Sequence, residues 1–152
     1  MWWRRSSRSA RLDGEIWDAS ALLPLLVEEV TSRATEQEHA RDPEITAWWG
    51  TTVECDSALA RREREGAVVD KGRDLLTLLS ASWAEVPATD DVRRIARRLV
   101  RVHPLRGADA LQLSAAITAA DGNPERLPFV TLDARLADAA RREGFKVIRP
   151  AP

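Results

Sequence analysis

An α/β domain around a mainly parallel sheet is predicted for this 152-residue sequence by three observations. Short β-branched and aromatic segments alternate with longer helix-compatible ones, the order expected of successive βαβ units. Gly and Pro residues are scattered singly, so no composition break marks a linker. The length suits one domain with a real hydrophobic core and is short for two.

The elements follow in order. Glu15 to Asp18 reads as a short strand running into Ser20, a good N-cap for an apolar helix that reaches Glu29. Pro24 falls in or near its first turn, where a missing N–H costs least. Thr31 to Arg41 is polar and suits a surface helix. "EITAWWG" is β-branched and aromatic and stops at Gly50, so it is read as a second strand. Its Trp48 and Trp49 point to opposite sides, one into the core and the other under a helix. Thr51 or Thr52 to Glu65 is the next helix, with Val53, Ala58 and Leu59 recurring among charges and Gly66 as C-cap. Val68 to Trp83 follows, with Leu75, Leu76 and Leu79 on its apolar side and Trp83 at its end, in the core or at a dimer interface. Asp90 to Val102 is a helix capped by Asp90 or Asp91, and Pro87 and Pro104 punctuate this region. "GADALQLSAAITAADG" is helical because Ala and Leu dominate it and Gly122 closes it. "LPFVTLD" is a strand, Ala134 to Glu143 a helix and "FKVIRP" the last strand.

Composition excludes several classes. Charged residues make up 31% and the hydrophobic set 44%, so the chain is neither disordered nor collagenous. The formal net charge of −1 advertises no global field for nucleic acid, although a local patch is compatible with it. Cys55 is the single cysteine, so neither an intramolecular disulfide nor a Cys-based zinc site can form, and a reducing cytoplasm fits. The apolar runs are broken by Pro24, Asp109, Gln112, Ser114 and Thr118, and none is long enough for a bilayer. The opening "MWWRRSSRSARLDGE" lacks the apolar segment of a secretory signal. Residues 1–12 are read as a flexible extension or an upstream start, and residues 13–152 as one domain.

In open parallel sheets the functional crevice lies beyond the carboxyl ends of the strands. Four acids are expected there. Asp18 ends the first strand, Glu54 opens the helix after the second, Asp109 sits in the first turn of the Ala-rich helix, and Asp133 follows "FVTL". Carboxylates brought together repel unless a cation neutralises them. With no His or Cys companions, such a set suits a hard ion, Mg²⁺ or Mn²⁺, with oxygen ligands at roughly 2.0 to 2.1 Å. Ser20 would then orient Asp18 or a bound water. The bland alternative is that Asp18, Asp109 and Asp133 are helix N-terminal acids complementing the macrodipole. Glu54 has the weakest capping rationale, with Asp56 beside it as a decoy, while Asp13, Asp121 and Asp138 are read as solvated or capping.

The ordered stretches "IWDASALLPLL", "TTVECDSALARREREG", "LRGADALQLSAAI" and "FVTLDARLADAARREGF" resemble the successive motifs of PIN-domain proteins, most of all the VapC-type ribonuclease toxins of toxin–antitoxin pairs. The resemblance runs from about Ile16 to Ile148. It implies a three-layer α/β/α sandwich around a mainly parallel twisted sheet. It also implies a Mg²⁺- or Mn²⁺-dependent endoribonuclease silenced by a cognate VapB-like antitoxin, cytoplasmic and homodimeric. Asp18 matches the first acid of the D-x-[ST] motif, Ser20 its hydroxyl, Glu54 the second acid and Asp109 the third. Asp133 matches the fourth, with Thr131 upstream in a T-x-D pattern. The chemistry implied is metal-assisted phosphodiester hydrolysis that leaves a 5′ phosphate.

RNA also needs positive charge near the acids. Arg61, Arg62 and Arg64 lie along the helix that Glu54 opens, and Arg93, Arg94, Arg97, Arg98 and Arg101 recur on another. Both sets equally suit solvated faces pairing with Glu63, Glu65, Asp90 and Asp91. Arg106, beside "GADAL", is a better local candidate for substrate contact. His39 and His103 are isolated and suit surface or loop positions, and an exposed Trp could stack on a base, although core packing is the default for that residue type. Two other classes stay in view. One is a non-catalytic module of the same fold that binds RNA or a protein. The other is a phosphohydrolase of small phosphorylated molecules, which "DAS" disfavours because it lacks the second Asp of a DxD motif.

Overall fold

The computed structural model describes residues 14–152, so the expected flexible extension, Trp2, Trp3 and Asp13 lie outside the described residues. Five short strands form one sheet: β1 (Glu15–Trp17), β2 (Ile45–Trp48), β3 (Ala84–Val86), β4 (Phe129–Val130) and β5 (Val147–Ile148). Their order is β3-β2-β1-β4-β5, and every neighbouring pair is parallel. The α-helices are α1 (Ala19–Leu26), α2 (Ser32–Arg41), α3 (Thr51–Arg64), α4 (Asp70–Ser82), α5 (Asp90–Val102), α6 (Gly107–Ala120) and α7 (Ala134–Arg142). The α/β architecture and the parallel sheet are as expected. No helix among the described residues is long and apolar enough to cross a membrane.

The chain steps outward from β1 through β2 to β3, then crosses back to lay β4 on the other side of β1 and β5 beyond it. Right-handed crossovers place the helices on opposite faces when the direction reverses. The strand side chains show this with period two. Trp17, Ile45, Ala47 and Val130 face Leu22 and Leu26 of α1, Cys55 and Leu59 of α3 and Leu76 of α4. Ile16, Trp48, Val86 and Phe129 face Leu99 of α5, Leu113 of α6 and Leu136 of α7. The single core expected from the length is therefore two cores, one on each side of the sheet, and the third layer follows from that.

Several local expectations are corrected. Residues 84–86 form a fifth strand that the sequence did not suggest, because three residues ending a helical stretch carry no periodicity. Helix α1 is capped by Asp18, whose side chain accepts from the Ala21 N–H, and Ser20 lies in the first turn. Pro24 sits beyond that turn, and the helix stops at Leu26 instead of Glu29. Ser32 closes its end, donating to the Pro24 carbonyl at 2.7 Å and accepting from the Glu29 N–H at 2.8 Å. The cap of α5 is Thr89, which accepts from the Val92 N–H at 3.2 Å, because a backbone in the extended region precedes Asp90. His103 is buried and not at the surface: as C-cap of α5 its Nε2 lies 2.8 Å from Glu143, the carboxylate that Arg98 also binds. Trp83 is core, and its Nε1 donates to Glu85 at 3.2 Å.

Helix α4 reaches α1 through Gly72, where an added Cβ would stand 2.5 Å from the Leu26 carbonyl oxygen and 3.3 Å from a Leu59 methyl. Helix propensity alone favours Ala over Gly by about 1 kcal/mol in a helix interior. The backbone oxygen cannot yield as a flexible side chain would, so the contact should decide the sign. Gly72→Ala is expected to lose about 1–3 kcal/mol of stability in urea denaturation. A more stable variant would mean that α1 and α4 do not approach this closely.

Candidate active site

The reversal of strand order falls between β1 and β4, and the crevice of an open parallel sheet opens at that point beyond the carboxyl ends. Asp18 follows β1 there, flanked by the residues that leave β4. Its carboxylate is buried and closely held. Ser20 Oγ lies 2.8 and 2.9 Å from its two oxygens, Thr131 Oγ1 donates to Oδ2 at 3.0 Å, and the Ala21 N–H donates to Oδ1 at 3.1 Å. Each hydroxyl is also an acceptor. Ser20 Oγ receives the Leu132 N–H at 2.9 Å and Thr131 Oγ1 the Asp133 N–H at 3.1 Å. The D-x-S and T-x-D stretches therefore interlock, joining the start of α1 to the segment between β4 and α7. Arg149 supports that segment, its Nη2 donating to the Leu132 carbonyl at 3.0 Å.

The other acids arrive on helix N-termini. Asp133 caps α7, accepting from the Leu136 N–H at 3.0 Å. Glu54 and Asp109 lie in the first turns of α3 and α6. One turn from each, a buried hydrogen bond of 3.2 Å from Thr51 Oγ1 to Gln112 Oε1 ties α3 to α6, with the Gln112 Nε2 left unpaired. Asp56 is exposed on the same helix as Glu54.

The four acids sense one another. Burial pushes Asp18 up to about 6; Ser20, Thr131 and the Ala21 N–H oppose the shift, and the Asp133 charge adds to it. Burial, then the charges of Asp18 and Asp109, push Glu54 up to about 7, with no hydrogen bond among the described residues to restrain it. Asp109 is raised by burial and by Asp133, and drawn back by Arg106 and Arg135. These oxygen-only donors suit a hard dication in type, since a cation would relieve both desolvation and repulsion. Their spacing is looser than a ready cage: among the described residues no three Asp, Glu, His or Cys side chains are grouped to hold a metal ion. Both oxygens of Asp18 are engaged by hydroxyls and backbone, and one oxygen of Asp133 caps a helix.

The basic residues divide. Arg106 borders the site, its Nε 4.0 Å from Asp109, with its side chain 82% exposed. Arg61 and Arg62 do not adjoin the acids: they lie in the last turn of α3, two helical turns or about 10 Å beyond Glu54. Arg62 pairs with Glu29. Arg93 and Arg94 pair with Asp90 and Asp91, the solvated-face arrangement anticipated for that helix. Sequence reading missed Arg135, Arg149, Thr51 and Gln112. For Arg135 a signal existed, its place two residues after Asp133; the Thr51–Gln112 bond joins positions 61 residues apart and left none.

No family model and no curated protein sequence matches the chain. Solved structures do share its fold. A Pyrobaculum aerophilum protein, PAE2754, is 23% identical over 89% of this chain and 83% of its own, with a TM-score of 0.58. A toxin–antitoxin complex from Klebsiella pneumoniae is 17% identical over 90% of this chain and 98% of its own, with a TM-score of 0.63.

Because Asp18 and Glu54 are held above their ordinary carboxylate values, the folded chain favours their protonated forms. Their contribution to stability is fully present below about pH 4 and is lost as pH rises through about 6 and about 7. Glu54→Gln keeps the shape and cannot ionise. In EDTA at pH 7.5 it should be more stable than the wild type by roughly 1 kcal/mol, allowing for solvent screening of a half-buried group, with little difference at pH 4. Thermal unfolding at the two pH values measures this. A wild type as stable as the variant at pH 7.5 would mean that ionised Glu54 carries no penalty.

Proposed function

We propose that the chain is a Mg²⁺- or Mn²⁺-dependent endoribonuclease of the PIN type, acting as the toxin of a toxin–antitoxin pair. The observation that carries this reading is the placement of Asp18, Glu54, Asp109 and Asp133, from four remote segments, around one strand-order reversal, each close enough to shift or be shifted by another. Structural ion-pair networks also perturb carboxylates, but among the described residues the cations that act on these acids are Arg106 and Arg135, both exposed. The likeness to the Klebsiella pneumoniae toxin–antitoxin complex supports the partner half of the reading, a cognate VapB-like antitoxin. A homodimer belongs to the same reading.

Asp18, Glu54, Asp109 and Asp133 would hold the cation. When bound, it supplies Lewis acidity to phosphoryl oxygens and a water acidified towards neutrality. Ser20 and Thr131 keep Asp18 ionised and oriented. Arg106 and Arg135 offer guanidinium groups to the phosphates of an RNA strand. Glu54, which has no hydrogen bond among the described residues, is the acid of the four best suited to take up a proton from the attacking water. Hydrolysis would leave a 5′ phosphate and a 3′ hydroxyl.

The open spacing of the acids favours a second reading, a module of the same fold that binds RNA or a protein without catalysis. The two separate on substitution. Asp18→Asn and Asp109→Asn should each reduce Mn²⁺-dependent RNA cleavage by at least about 100-fold while circular dichroism shows the fold intact. Calorimetric titration with Mn²⁺ should show binding to the wild type and its loss in Asp18→Asn. Full cleavage by both folded variants would remove these residues from the catalytic set, and identical titrations would favour the module.

A further inference from the structure

We propose that Trp49 is a base-stacking surface that selects the nucleotide beside the scissile phosphate, an assignment that rests on the endoribonuclease reading above. In the stretch "AWWG", strand alternation sends Trp48 into the core, where it is 6% exposed. Trp49 comes one residue later and is 58% exposed. Single exposed apolar side chains are ordinary on protein surfaces, so exposure alone carries nothing. Anchoring and position distinguish this one.

The backbone under Trp49 is fixed. Its N–H donates to the Val86 carbonyl at 3.0 Å, extending the β2–β3 ladder past its last paired residue. Its ring meets the buried Trp48 ring edge-on, with centroids 6.3 Å apart and planes at 70°. Gly50 then presses so closely on Trp48 that a Cβ there would stand 2.6 Å from the indole nitrogen. A rigid aromatic of this kind can offer a face to a base at little ordering cost.

Its position is beside the acids. β1 and β2 pair Glu15 with Ile45 and Ile16 with Thr46. Carried two residues on, that register sets Asp18 level with Trp48, so Trp49 stands one residue above Asp18 on the adjacent strand, about 5 Å to the side. Trp49 also leads into α3, and Glu54 follows the Gly50 N-cap by a rise of about 6 Å. Val53, in the same first turn of α3, is 69% exposed. Across the site stand Arg106 and Arg135, whose charges reach Asp109. A strand lying with its phosphates towards these arginines turns a base towards Trp49, and only an unpaired base can present its face to the ring.

The test uses the full-length chain with a fluorescently labelled random-sequence oligoribonucleotide pool, read by anisotropy for binding and by end mapping for cleavage in Mn²⁺. Trp49→Ala should weaken binding and raise KM by roughly 5- to 150-fold with kcat little changed, and should flatten the base preference at one position next to the cut. Trp49→Phe should restore most of both. An abasic nucleotide at that position should cost the wild type the same factor and cost Trp49→Ala nothing. Unchanged binding and base preference in Trp49→Ala, or an equal abasic penalty in both proteins, would overturn the assignment. RNA binding that depends on Trp49 without any cleavage would keep the stacking surface and sink the catalytic reading. A wild type that binds no RNA would end both.

Discussion

The buried carboxylate of Asp18 is the group on which the rest of the site depends. A carboxylate out of water is costly unless donors surround it. Here the donors are two hydroxyls and a backbone N–H. A hydroxyl is both donor and acceptor, so Ser20 and Thr131 can each give a proton to Asp18 and still receive a backbone N–H from the segment after β4. The same bonds that satisfy the charge therefore hold two distant pieces of chain in register. Asp18 also caps α1, so the direction in which that helix leaves the sheet is tied to the group that would serve chemistry.

The acids share a second constraint. Asp18 and Asp133 are N-caps, and Glu54 and Asp109 lie in first turns, so four helix N-termini are directed at one edge of the sheet. Helix N-termini favour negative charge, whether side chain or phosphate. The dipoles thus support the carboxylates individually, while the carboxylates oppose one another. Burial decides the balance at Asp18 and Glu54, where it is the largest influence and acts against the ionised form. The arginines Arg106 and Arg135 oppose the rise at Asp109.

What was legible in the sequence was what short-range pattern encodes. The Ala-rich helix and the glycine stops follow from propensity, and the observed elements agree; Trp48 is core as period two requires, but Trp49 lies past the end of β2, exposed and against the Trp48 ring instead of under a helix. That Asp18 and Asp133 follow strands, and that Glu54 and Asp109 open helices, was legible from the order of elements; how closely the four approach was not, since that depends on tertiary packing, and no three of them group to hold a metal ion among the described residues. The fifth strand was hidden: residues 84–86 become a strand by pairing with Thr46, Ala47 and Trp48, and nothing in three residues foretells that partner. Asp18 takes the capping role expected of Ser20, since both side chain types can cap; Ser20 instead binds Asp18 and the Leu132 N–H, a partner 112 residues away. His103 was read as suited to a surface or loop position because its partner Glu143, the C-cap of α7, lies 40 residues away.

The separation of Ser20 and Asp18 from Thr131 bears on when the molecule can first act. The central strand β1 is made well before β4, and the hydroxyl that completes its carboxylate lies 113 positions later. Contacts of such long range form late, because a large loop must close before they return anything. During synthesis the nascent chain would expose Asp18, Glu54 and Asp109 well before β4 arrives to lock the first of them. The hydrogen bonds around Asp18 are thus complete only once the segment that follows β4 has emerged and folded back onto the start of α1.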